Sequence, residues 1–161
     1  MIAFSTDVYN TFKLVHVFAA ILWVGAGLYF QFLGTRLNRL ADPDPERLAV
    51  FSKDVEFAGL RLLMPASILV LLAGIAMVLY SPVLNFSDTW IAIGLIGYAA
   101  TFVTGAVFIS PTAGKLGAAI EAGGPDAPEV ATLRKKIFTV SRIDQVVLFL
   151  VIVAMVFKPG A

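Results

Sequence analysis

From Leu14 to Thr35 the chain runs without a single Asp, Glu, Lys or Arg, and that stretch alone leaves few folds open. About 20 apolar residues in a helix cross the ~30 Å hydrocarbon layer of a bilayer, and the segment Tyr9 to Leu33 meets that length. No water pairs with the backbone inside lipid, so a crossing segment must close its own hydrogen bonds, as a helix does. Three more apolar runs follow. Phe57 to Tyr80 stops at Ser81-Pro82, Thr89 to Ile109 meets Ser110-Pro111, and Ile143 to Phe157 lies between Arg142 and Lys158. The last is short, and its flanking cations are expected to snorkel to the interfaces. Composition agrees: 59% of residues are hydrophobic and 14% charged, with mean hydropathy +0.89. Soluble domains hold roughly 45–50% and about 25%. The expected fold is all-α, a four-transmembrane-helix bundle forming one integral membrane domain over residues 1–161.

The leader MIAFSTDVYN has no basic segment, the apolar run behind it is too long for a signal peptide, and Arg36 and Arg39 follow. The first run is therefore expected to be a retained helix. Basic residues set the orientation. The first loop carries Arg36, Arg39, Arg47 and Lys53, and the third carries Lys115, Arg134, Lys135 and Lys136. The second, Ser81 to Asp88, carries none, so the positive-inside rule puts both termini outside. Tyr9, Tyr80 and Trp90 then fall at the outer interface. In the first loop Asp44 reads as a helix cap, with Pro45 in the first turn and an amphipathic helix from Arg47 to Glu56. In the third, helix 3 continues past Pro111 to Glu121, Gly123-Gly124-Pro125 breaks it, and a surface helix covers Ala127 to Val140. Gly97, Thr101 and Gly105 share one face of helix 3, a small-residue surface for close packing in the bundle or for a second copy.

The chemistry is sparse. With no cysteine, the chain has no disulfide, thiolate metal site or cysteine nucleophile. A net charge of +1 identifies no partner, and no basic footprint for nucleic acid is present. The only histidine, His16, lies inside the first apolar run, and an ionisable group there is a site hypothesis. At 1.5 Å per residue it sits about 10 Å below the outer end. Met77, Tyr98 and Met155 fall at similar depth, so His16 with a methionine forms a candidate axial pair for haem iron, or a quinone contact. Apart from a methionine in that axial pair, His16 is the candidate metal ligand. The alternative is a histidine hydrogen-bonded in the bundle interior, to Tyr98 or a backbone carbonyl. One histidine with scattered methionines is a poor copper site. At the inner face Arg61 opens helix 2, while Arg142 and Asp144 open helix 4. Asp144 would gain from the helix dipole and pair with Arg61, or the group would bind an anionic lipid or propionate. No nucleophile–base pair, phosphate loop or paired carboxylate occurs, so no catalytic residue is assigned.

Three stretches carry a resemblance. KLVHVFAAILWVGAGLYFQFLGTRL is similar to the Lys-x-x-His…Trp-x-Gly first helix of CopD-like bacterial membrane proteins. LRLLMPASILVLLAGIAMVLY resembles their second helix, and RIDQVVLFLVIVAMVFKPG their last. The likeness extends to a small family of four-helix integral membrane proteins of unknown function. More distantly it reaches HemJ-type protoporphyrinogen IX oxidases, which use a first-helix histidine and bind haem. His16 would match that histidine, Arg36 the basic residues after helix 1, and Met64-Pro65 the helix 2 motif. The resemblance implies a multi-pass protein of the bacterial inner (plasma) membrane. Three functions follow as expectations: a binder of haem or quinone at His16, a haem-dependent oxidoreductase, or a small transport or accessory subunit. The lipid bilayer and either a homo-oligomer or a larger membrane complex are the expected partners.

Overall fold

The structure is a computed structural model that describes residues 2–39 and 45–160, and every regular element among them is a helix. Four rods run up and down. The first is α1, Ile2–Asn38. It extends past both expected ends because no proline stands in either flank and the single Gly34 does not stop it; the Thr11 and Thr35 hydroxyls donate back to the carbonyls of Asp7 (2.9 Å) and Gln31 (2.8 Å). The Asp44 cap lies outside the described residues, and α2 begins at Pro45.

The second rod joins α2 (Pro45–Ala58) to α3 (Met64–Leu79) through a π turn at Gly59–Leu63. The third joins α4 (Thr89–Val103) to α5 (Ser110–Gly123) through a π turn at Thr104–Ile109. Each π turn has the same cause. A proline inside a helix lacks an N–H and its ring collides with the carbonyl four residues back. Here the residue before each proline steps the ladder by one: Met64 N–H bonds Gly59 O, and Ser110 N–H bonds Gly105 O. The widened turns let both rods pass through Pro65 and Pro111 unbroken. In both rods the glycine precedes the proline by the same spacing, a correspondence that sequence reading missed. The two π turns touch, and a Cβ on Gly59 would collide with the Ser110 hydroxyl.

The fourth rod corrects an expectation. A surface helix over Ala127–Val140 and a separate span from Ile143 are one uninterrupted helix, α6, Pro128–Phe157. No glycine or proline separates the two parts, and continuing a helix costs less than starting a second. The apolar span that seemed short is thus the end of a longer rod. Lys158 caps α6 at φ 46°, and its ammonium lies 5.1 Å from the Trp90 ring centre.

Between 11% and 22% of residues in the most apolar window of each rod are buried inside the bundle. Leu14, Phe18, Leu72, Ile96, Val107 and Phe149 are exposed on the outside. Such a surface needs lipid as its solvent. Small residues let the rods close: Gly94 and Gly97 of α4 receive Met155 and Val151 of α6, and Thr101 beside them is buried. The small face of the third rod therefore packs within the bundle, although Gly105 faces open space. Two clusters cap the ends. Val78, Trp90 and Ile91 close the end near the termini. Leu48, Ala49, Leu116, Ile120 and Val130 join α2, α5 and the start of α6 at the basic end.

Candidate functional site

His16 docks on α3. Its Nδ1 lies 2.8 Å from the carbonyl oxygen of Val70, and a Cβ on Gly74 would come within 3.1 Å of the ring. Gly74 therefore admits the imidazole to the α3 backbone. A carbonyl only accepts, so Nδ1 is the donor, and in the tautomer this selects the lone pair lies on Nε2. The other depth-matched residues make separate contacts. Tyr98 meets Trp23 edge-on at 5.6 Å and stacks on Phe102 at 5.6 Å. Met155 fills the notch at Gly94 beside Trp90. Met77 is half-buried on α3.

The inner-face trio is dispersed. Arg61 lies in the π turn of an unbroken rod, and Arg61 and Arg142 are both exposed. Asp144 sits in the middle of α6, far from its start at Pro128, so no helix dipole acts on it. Residues 142 and 144 point about 200° apart around a helix, which turns Arg142 outward and Asp144 inward. Asp144 Oδ1 is buried with no hydrogen-bond partner, and the expected pair with Arg61 is not formed. A surface ion pair joins Lys53 and Glu121 at 2.6 Å. No group of three metal-ligating side chains occurs among them.

Asp144 faces a cavity of about 130 Å³ in the basic half of the bundle. Its α1 wall is built on Gly27, Phe30, Gln31 and Gly34, one helical face on which the two glycines leave room beside the Phe30 ring. A Cβ on Gly27 would stand 3.2 Å from Gln145 Oε1, and one on Gly34 3.1 Å from the Phe138 ring. Leu63 and Ile109, at the ends of the two π turns, reach the same space. The π turns thus shape the cavity floor, while α2 and α5 close it toward the basic end. Most of the lining is apolar; Gln31, Ser141, Asp144 and Gln145 supply polar atoms between α1 and α6, and Ser52 of α2 and Arg134 of α6 add a hydroxyl and a guanidinium.

A family model for predicted integral membrane proteins, DUF2269, matches residues 10–159, which takes in all four rods. The chain belongs to the DUF2269 family. No curated protein and no solved structure matches it significantly. The match establishes an integral membrane protein of a family without assigned function; it lends no support to a CopD-like or HemJ-type relationship. Within this DUF2269 protein, sequence reading singled out Asp144 but gave it the wrong neighbours. Gln31 and Gln145 escaped notice, although two amides and a carboxylate among apolar residues were a legible signal.

Proposed function

We propose that this DUF2269 protein is a non-enzymatic binder whose cavity takes a compact ring carrying a hydrogen-bond donor, such as a benzoquinol headgroup. The observation that carries this reading is the buried, unpartnered Oδ1 of Asp144 on the cavity wall. A buried carboxylate oxygen without a partner costs stability, which a donor from a ligand would recover. Gln31 and Gln145 add amide N–H groups for an acceptor on the same ring. A cavity of about 130 Å³ is close to those of ~150 Å³ that hold benzene, and is too small for a porphyrin.

Thermal stability of the detergent-purified protein, titrated with a short-chain benzoquinol and with its quinone, tests the reading. The quinol should bind more tightly, and Asp144→Leu should weaken it at least tenfold. Equal binding by wild type and Asp144→Leu, or no binding of either ring, would sink it.

His16 supports a second reading. An imidazole whose Nδ1–H is held by a carbonyl is oriented as metal-bound histidines are, with Nε2 free to ligate. Haem would then dock on the lipid-facing side of α1, not in the cavity, and an oxidoreductase activity would require it. A Soret band in purified protein, lost in His16→Ala, would support this; colourless protein at normal yield would exclude it. Turnover of protoporphyrinogen would then separate an oxidase from a haem binder.

A further inference from the structure

One stripe of α1 is left outside the bundle at the basic end. Leu28, Phe32, Arg36 and Arg39 follow one another along it, and with Arg142 of α6 they line an open groove. No Asp or Glu lines this groove. Among the described residues, no carboxylate lies within salt-bridge distance of Arg36, Arg39 or Arg142. Three guanidiniums gathered this way repel one another unless an anion sits between them. The groove also changes character along its length. Its polar end carries the arginines, and its other end, about 12 Å along α1 from Arg36 to Leu28, is apolar. Leu28 is 51% and Phe32 68% exposed, on the side that faces lipid. The uncharged polar side chains of Gln31 and Thr35 also line the groove.

We propose that this groove holds an anionic phospholipid from the leaflet at the basic end. Arg36, Arg39 and Arg142 surround its phosphate, and an acyl chain lies along Leu28 and Phe32. Guanidinium groups suit phosphate oxygens because their N–H donors fork onto two at once. Free phosphate would use the arginines but gain nothing from the apolar end. The lipid ties α1 to α6, because Arg36 and Arg39 belong to the first rod and Arg142 to the fourth.

The full-length protein in neutral detergent is titrated with phosphatidylglycerol, phosphatidylcholine and inorganic phosphate, with the thermal midpoint as readout. Phosphatidylglycerol should raise the midpoint at concentrations where the other two do not. Arg36→Gln/Arg142→Gln should lower its apparent affinity roughly 25-fold, about fivefold for each charge removed. Lys115→Gln/Lys136→Gln removes the same charge from exposed positions at the same end and should leave the affinity unchanged. If the double arginine variant does not fold, Arg39→Gln alone carries the test, with a fivefold loss expected. An equal loss in the lysine variant would show diffuse surface charge and overturn the proposal. So would an equal response to inorganic phosphate, or no preference over phosphatidylcholine.

Discussion

His16 and Asp144 are both polar groups inside a membrane bundle, yet their surroundings oppose each other. His16 has its partner, the Val70 carbonyl at 2.8 Å, and a glycine that makes room for the ring. Asp144 has none for Oδ1. Interhelical hydrogen bonds in lipid contribute about 0.6 kcal/mol on average. Removing the imidazole also leaves a gap against α3, so His16→Ala should destabilise by about 1–3 kcal/mol. Asp144→Leu replaces an unsatisfied group with an apolar one of similar size and should stabilise by about 1–3 kcal/mol. Denaturant titration in detergent, followed by tryptophan fluorescence, measures both. A stabilising Asp144→Leu that also loses ligand marks a residue kept for function at the expense of stability. A destabilising one would mean that the carboxylate has a structural partner.

At the scale of elements, the third rod shows how glycine position decides packing. Gly97 and Gly105 sit eight residues apart on the same sequence stripe, but Val151 fills the space at Gly97 and nothing fills it at Gly105. Gly97→Leu should therefore overpack the α4–α6 contact at a cost of about 1–3 kcal/mol. Gly105→Leu should stay within about 0.5 kcal/mol. Unfolding midpoints give the comparison, and size-exclusion profiles add a second readout. If Gly105→Leu shifts the oligomeric state instead, that surface packs against another copy. The stripe was legible in the sequence as fourfold spacing of small residues. The π turn at Thr104–Ile109 was not, and it begins between the two glycines and rotates the helix face. A pattern read at 100° per residue cannot carry through a turn that inserts an extra residue.

For the whole molecule, the loops between spans are less separate from the bundle than they read. The amphipathic helix before helix 2 and the extension after Pro111 became α2 and α5, packed together with the start of α6 around Leu48, Leu116 and Val130. This cap closes the cavity that holds Asp144. Its orientation is testable directly because the chain has no cysteine. Ser87→Cys should react with a membrane-impermeant maleimide from the outside only, and Lys115→Cys from the cytoplasm only. The reverse pattern would invert the positive-inside assignment and place the arginine groove in the outer leaflet.

Local properties of the sequence determined how many rods cross the membrane and where their polar ends lie. Hydrocarbon thickness sets the length of an apolar run and charge is excluded from it, and both are properties of consecutive residues. Pro65, Pro111 and the glycines at Gly123-Gly124 were equally local signals. Tertiary structure alone decided which polar groups meet. Asp144 became an inward carboxylate only because α6 runs unbroken from Pro128, and because Gly27 and Gly34 let α6 lie close to α1. His16 found the Val70 carbonyl only because Gly74 stands at the crossing of α1 and α3. Depth in the membrane can be counted along one chain segment; azimuth depends on how four rods rotate against one another, and packing settles that.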